Sequence, residues 1–334
     1  MLRTLQIAEG VWNAVIADYE RVQPPLSRGS VGQRLEGLRE AFARRVSHGD
    51  LPAKVASGQR CPVCGGAELE PVVARRPGPS VWARCAKCAH GRLVNAGEDA
   101  SRVYRSERYY AVRDATGVGY DDYGNEAAYR EEKGRRLLER VIGVARGRPR
   151  SLLEVGSGFG YTRAAAERLG LETAGVDLNP HAAVAARRKY GFDTFTGSIE
   201  QALERPDSGI ERGHWDLVVY QFVLEHIADL ARELRSAREA LHPGGWLSFL
   251  VPSFEAAELD VFGGSYRSLR ADHLHLFSSS SVRHVLERTG FVPRLIETGC
   301  NLHLLRGFLS ADELRSLYAA GRGPDLLVVA ERVP

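Results

Sequence analysis

Leu152-Leu153-Glu154-Val155-Gly156-Ser157-Gly158-Phe159-Gly160 is a short apolar strand that runs into a glycine-rich turn, and Tyr161 to Leu169 continues it with helical character. Glycine lacks a Cβ, so such a turn can bend tightly and let a ligand lie against the backbone. The helix that follows presents free N–H groups at its start, favourable for a carboxylate or phosphate. Glu172 to Val176 reads as a second strand ending in Asp177, where a carboxylate can accept both hydroxyls of a ribose. Pro180 suits the first turn of a helix that runs to about Lys189. Phe192 to Thr196, Asp216 to Tyr220 and Trp246 to Val251 read as the third, fourth and fifth strands. Helical stretches separate most of them, which predicts a parallel sheet covered on both faces, with ligands bound beyond the carboxyl ends of its strands.

The glycine spacing is Gly-x-Gly-x-Gly, with Glu154 two residues ahead of the first glycine. A nicotinamide fingerprint has Gly-x-Gly-x-x-Gly instead, so a dehydrogenase is disfavoured. Three later segments extend the pattern. They are Trp215-Asp216-Leu217-Val218-Val219-Tyr220-Gln221-Phe222-Val223-Leu224-Glu225-His226, the turn Leu241-His242-Pro243-Gly244-Gly245-Trp246-Leu247, and Asp272-His273-Leu274-His275-Leu276-Phe277-Ser278. In order and spacing, residues 127 to 334 resemble the class I S-adenosylmethionine (SAM)-dependent methyltransferases of small-molecule type.

That resemblance implies an α/β fold: a doubly wound, seven-stranded, mostly parallel Rossmann-like sheet, with Asp325 to Glu331 as its one antiparallel strand. It implies that Glu154, Gly156, Ser157, Gly158 and Gly160 line the methionine part of SAM, that Asp177 holds the ribose and that Leu178 packs on adenine. Gln221 and Phe222 would contact the methionyl end or face the substrate. The position that often carries an acid for the adenine amine reads Gly197-Ser198-Ile199 here, leaving Ser198 or a backbone group to make that contact.

Ahead of this domain stand Cys61-Pro62-Val63-Cys64 and Cys85-Ala86-Lys87-Cys88, with 20 residues between the pairs. This is the two-knuckle spacing of a zinc ribbon. Four thiolates close a tetrahedral shell and leave no position for an activated water, so the expected zinc is structural. Gly65-Gly66 permits the sharp turn after the first pair, whereas Ala89 stands where a glycine is usual after the second. Cys300 stands alone and reads as a small core residue.

The chain divides into an N-terminal helical segment (1–57), a zinc-binding module (58–96), a tyrosine-rich connector (97–126) and the methyltransferase domain (127–334). The helical segment has one stripe from Leu5 to Tyr19 and another from about Val31 to Val46, both expected to pack on the rest of the protein. With 45 basic and 42 acidic residues the net charge is +3, which gives no electrostatic footprint for nucleic acid. The module carries Arg60, Arg75, Arg76, Arg84 and Lys87 but only Trp82 as a stacking platform. No apolar run approaches the roughly 20 residues needed to span a bilayer. The N-terminus lacks a secretory signal pattern, and the paired cysteines suit a reducing compartment. These features predict a cytoplasmic protein, and the resemblance implies a small-molecule methyl acceptor and a monomer or homodimer.

Methyl transfer from a sulfonium is an in-line displacement, so the enzyme aligns the acceptor and often removes its proton. His273 and His275 are the candidate bases, and Tyr266 is a candidate for the acceptor pocket. Glu225 and His226 are expected to cap and orient the turn after the fourth strand. Tyr120 and Tyr123 are expected to pack, or to close over the cofactor. Two other readings compete: an RNA or protein methyltransferase gripping its target with the zinc module, and a non-catalytic SAM-binding partner subunit.

Overall fold

The computed structural model describes residues 30–43, 59–74, 80–96, 100–114, 118–120, 123–145, 149–299, 305 and 308–333, with 52 and 55 as isolated positions. The helical stripe from Leu5 to Tyr19, Arg75, Arg76 and Cys300 lie outside the described residues. The large sheet contains β4 (Ser151–Val155), β5 (Glu172–Asp177), β6 (Phe195–Thr196), β7 (Trp215–Gln221), β8 (Leu241–Pro252), β10 (Phe291–Thr298) and β11 (Asp325–Arg332). Its spatial order is β10-β11-β8-β7-β4-β5-β6. The pairs β7–β8, β7–β4, β4–β5 and β5–β6 are parallel, and β11 runs antiparallel to both of its neighbours. The expected antiparallel strand at the C-terminus is therefore present.

The apolar runs were readable because both faces of this sheet are covered. Successive residues point to opposite faces. Leu153, Val155, Val218 and Tyr220 join the core on one side. Leu152, Leu217 and Val219 join the core on the other, against Leu137, Leu138 and Val141 of helix α2 (Ala127–Val144). Two strands differ from expectation. β6 is reduced to Phe195–Thr196 because Phe192 instead packs under the Arg163 guanidinium, 4.3 Å from it, beside Ala164 and Ala186. β8 begins earlier, at Leu241, and its residues 242–245 fall between the partners of Trp215 and Leu217. The expected turn is thus a bulge inside the strand.

The cysteine module forms β1 (Leu69–Ala74), β2 (Val81–Cys85) and β3 (Gly91–Leu93). Its sheet does not end there. β3 pairs with β9 (His275–Leu276), placing Gly91 opposite Leu276 and Arg92 opposite His275. Ser278 donates to the Cys88 carbonyl at 2.7 Å, and Arg288 to the Val63 carbonyl at 2.5 Å. The module is thereby joined to the strand–helix domain through the segment that carries His273 and His275. Trp82 is fully buried, packed with Phe254, Tyr266 and Leu276. Helix α1 (Val31–Ala43) packs Leu38 against Phe262, Leu305 and Leu317, and Arg34 pairs with Glu313 at 2.5 Å.

Close approach at Gly91 makes this junction possible: a Cβ there would lie 2.7 Å from the buried Phe254 ring. Gly91→Ala should therefore lower stability by about 1–3 kcal/mol through overpacking. Urea unfolding followed by tryptophan fluorescence reads the effect, and an unchanged midpoint would contradict this packing.

Candidate active site at the carboxyl edge of the sheet

The glycine turn begins where β4 ends. Gly156 has a φ of +69°, and a Cβ there would lie 2.3 Å from Val223. Both the left-handed backbone and the contact with the β7 loop therefore require glycine. Gly160, at φ +82°, starts helix α3 (Tyr161–Arg168). Asp177 braces the turn from the next strand: its Oδ2 accepts from Gly158 N at 2.7 Å and its Oδ1 from Asn179 N at 2.8 Å. Asn179 in turn caps helix α4 (Pro180–Tyr190) and donates from Nδ2 to the Ser106 carbonyl.

Glu154 is 3% exposed, and burial pushes its carboxyl up to about 8. Thr162 offsets part of this as a hydrogen-bond partner, and Thr162 Oγ1 itself accepts from Gln221 Nε2 at 2.5 Å. Glu154 Oε2 and Ser157 Oγ are buried with no hydrogen-bond partner. Burying polar atoms in this way costs free energy unless a ligand satisfies them. Phe222, just after β7, is a non-glycine residue at φ +56°, the kind of backbone strain that collects at ligand sites. Leu178 follows Asp177 and is partly buried. A cleft of about 470 Å³ opens beside this loop, lined by Tyr110, Phe159, Tyr161, His181 and Lys189 among others.

The connector covers the loop with aromatic rings. Tyr110, Tyr120 and Tyr123 pack on one another, and Tyr110 and Tyr123 also pack on Phe159. Arg130 sits 4.0 Å over the Tyr123 ring, adding a cation–π contact. A Cβ on Gly158 would lie 3.1 Å from the Tyr123 hydroxyl. Tyr104 reaches further, to His226 Nδ1 at 2.6 Å and the Asp272 carbonyl at 3.0 Å.

The turn after β7 holds an arrangement that the sequence did not disclose. Glu225 caps nothing: it is fully buried, and neither carboxylate oxygen has a hydrogen-bond partner. Burial pushes it up to about 8, although its own backbone N–H, then Arg270 and Lys133, partly oppose the shift. One ligating atom from each of Glu225, His226 and His273 lies within 4.8 Å of the other two. His273 Nδ1 donates to the Ser268 carbonyl at 2.8 Å. Burial holds this imidazole well below its ordinary range, which makes it a weak proton acceptor. His226 is also lowered by burial, against the pull of Asp272. Burial opposes ionisation of Asp272, but a bidentate pair with Arg270, both contacts at 2.8 Å, holds its carboxyl well below the usual range.

Three expected positions turn elsewhere. His275 Nε2 donates to the Ile227 carbonyl at 2.9 Å, and its Nδ1 faces His90 Nε2 at 3.0 Å. Both ring nitrogens are spent on joining the module to the β7 loop, so His275 is not a base. The Tyr266 hydroxyl is fully buried and donates to the Ser253 and Pro324 carbonyls at 3.1 and 3.0 Å, so it does not line an acceptor pocket. Ser198 Oγ caps helix α5 (Ile199–Glu204), accepting from Gln201 N at 3.2 Å.

The four expected cysteines come together. Cys61 Sγ lies 3.6 Å from Cys88 Sγ, and Cys64 Sγ lies 3.5 Å from Cys85 Sγ. The two knuckles fold alike: Gly65 N donates to the Cys61 carbonyl and Ala89 N to the Cys85 carbonyl. Gly65 and Ala89 take the matching left-handed position, with φ of +74° and +55°. The thiol hydrogen bond from Cys88 pulls Cys61 down to about 5, and the same contact, with burial, pushes Cys88 up.

Residues 127–296 match the family described as a methyltransferase domain. The ubiquinone biosynthesis O-methyltransferase of Hydrogenovibrio crunogenus is 29% identical over 101 residues, covering 30% of this chain and 42% of that protein. Its counterpart in Xanthomonas campestris pv. campestris is 32% identical over 123 residues, covering 34% of this chain and 49% of that protein. The chain thus spans half or less of the length of these relatives. Among solved structures, a SAM-dependent methyltransferase from Archaeoglobus fulgidus is similar at 20% identity and a TM-score of 0.46, covering 62% of this chain and 97% of that one. The 1,6-didemethyltoxoflavin-N1-methyltransferase of Burkholderia thailandensis is similar at 17% identity and a TM-score of 0.48, covering 79% and 100%. With the family match spanning the glycine loop, Asp177 and the whole turn after β7, the chain belongs to the methyltransferase domain family.

Proposed function

We propose that this chain is a SAM-dependent methyltransferase acting on an oxygen or carbon of a small molecule, in a natural-product or sugar-nucleotide pathway. The observation that carries this reading is the pair of buried, unpartnered polar atoms at the glycine loop, Glu154 Oε2 and Ser157 Oγ. A ligand with an ammonium group at one end and hydroxyls at the other fits this donor and acceptor set. Glu154 takes the ammonium, and Gly156, Ser157, Gly158 and Gly160 supply backbone to its methionine part. Asp177 takes the ribose hydroxyls, and Leu178 and the backbone at Ser198 border the adenine. Gln221 and Phe222 separate the cofactor from the acceptor. When bound, SAM supplies a methyl group on a positively charged sulfur, and the protein's task is to align the acceptor in line with it. The acceptor is then handled by the buried polar centre of Glu225, His226 and His273.

The full burial of Trp82 favours a small acceptor over RNA, since it removes the module's stacking platform. No described helix is long and apolar enough to cross a membrane. A structural zinc in the module belongs to the same reading. Tetrahedral Zn–S bonds of about 2.3 Å put sulfurs about 3.8 Å apart, close to the 3.5 and 3.6 Å separations here.

Three measurements test these assignments. Protein reconstituted with Co²⁺ in place of zinc should show intense thiolate-to-metal charge-transfer absorption, absent in a Cys61→Ser/Cys88→Ser variant. Absorption without that band would remove the metal from the module. Incubation with methyl-labelled SAM and a panel of hydroxylated small molecules should label an acceptor. Asp177→Ala should weaken S-adenosylhomocysteine binding at least ~10-fold, the loss expected for charged hydrogen bonds. Binding unchanged in that variant would sink the ribose assignment.

A further inference from the structure

We infer that Glu225, His226 and His273 form a second metal site, distinct from the four thiolates, for a divalent transition-metal cation beside the methyl acceptor. The argument starts from where the ring protons go. His273 Nδ1 faces the Ser268 carbonyl at 2.8 Å, and His226 Nδ1 faces the Asp272 carbonyl at 2.8 Å. A carbonyl only accepts, so both Nδ1 atoms carry the hydrogen and both Nε2 atoms carry the lone pair. Tyr104 completes the arrangement on His226, its oxygen 2.6 Å from Nδ1 while its own hydrogen goes to Asp272. Metal-bound histidines are held in this way, with the remaining ring N–H fixed by a carbonyl or carboxylate that sets tautomer and orientation.

The third member leaves the cluster short of hydrogen bonds. Glu225 is fully buried, and neither oxygen has a hydrogen-bond partner. Its Oε1 lies 4.0 Å from His226 Nε2, too far for a hydrogen bond. The nearest polar neighbours it has in the cluster are therefore two lone pairs. Ligands bound at about 2.0–2.2 Å to one ion lie about 3–4 Å apart, so small side-chain rotations close this set around a metal. Two imidazoles and one carboxylate suit zinc, cobalt, iron(II) or manganese rather than magnesium or calcium, which prefer oxygen ligands alone.

Three protein ligands leave coordination positions open. Glu225 and His226 follow closely on Gln221 and Phe222, so an acceptor oxygen can fill one of those positions; the cation lowers that oxygen's pKa, and its proton passes to solvent water. The weak basicity of His273 then ceases to be an obstacle, because His273 serves as a ligand in place of the proton acceptor expected from its motif. This role at the acceptor rests on the methyltransferase reading, whereas the binding of the cation does not.

The test uses the full chain with its thiolate site filled by zinc. Equilibrium dialysis against Co²⁺ should give one further equivalent bound, with weak ligand-field absorption and no new thiolate charge-transfer band. Glu225→Gln and His273→Asn should each weaken that binding at least ~10-fold, while thermal melting reports whether each variant is folded. S-adenosylhomocysteine titration of the same samples keeps the two readings apart, since it tests the cofactor site alone. No additional cobalt in folded wild-type protein would overturn the inference. So would cobalt binding that persists undiminished in both folded variants.

Discussion

The structure turns on buried carboxylates that the fold does not neutralise by itself. Glu154 is the last residue but one of β4, Asp177 ends β5, and Glu225 follows β7, all at the carboxyl edge of one parallel sheet. Glu154 and Asp177 are nearly buried and Glu225 wholly so. Removing a carboxylate from water is costly unless it is paired, hydrogen-bonded or protonated. Asp177 meets the requirement with two backbone N–H groups. In Glu154, whose side-chain hydrogen-bond partner is Thr162, and in Glu225, burial prevails and pushes the carboxyl up to about 8, so both meet the requirement by holding a proton near neutral pH; burial raises Asp177 as well. An arrangement that costs stability in the free protein is one that a cationic ligand repays on binding.

The elements around this edge serve to keep it dry and rigid. The tyrosines of the connector cover the glycine loop, and Asn179 ties that connector to the Asp177 turn. The cysteine module reaches the same edge from the other side. His90, His275 and the Ile227 carbonyl form a hydrogen-bonded chain that ends in the loop carrying Glu225 and His226. Leu274 N donates to the Glu225 carbonyl at 2.7 Å, so the module's sheet and the β7 loop share one junction. The four cysteines therefore have a structural consequence at the site without lying in it.

Much of this was legible in the sequence for a simple reason. Strands buried on both faces leave apolar runs, so β4 and β7 are legible within a residue or so, and β5, half-exposed at its start, is legible from its place after the helix and from the terminal Asp177. Phe192 misled, because its ring was needed against Arg163 rather than in the edge strand. The cysteines declared themselves by spacing. What the sequence concealed was direction and burial. His273 and His275 are two apart and would share a face in a regular strand. The strand begins only at His275, so its ring bridges the module and the β7 loop while His273 turns to the Ser268 carbonyl. Glu225 reads as a capping residue because nothing in its neighbours in sequence reveals that no other side chain hydrogen-bonds to it in the folded chain.

Calorimetric titration with S-adenosylhomocysteine near pH 7, in buffers of differing ionisation enthalpy, tests the central claim most directly. The raised Glu154 carboxyl is protonated in the free protein at that pH and ionises once an ammonium group pairs with it. Binding should therefore release roughly one proton per ligand, and Glu154→Gln should abolish the release while the chain remains folded. Binding that releases no proton, or no binding at all by folded protein, would contradict the account.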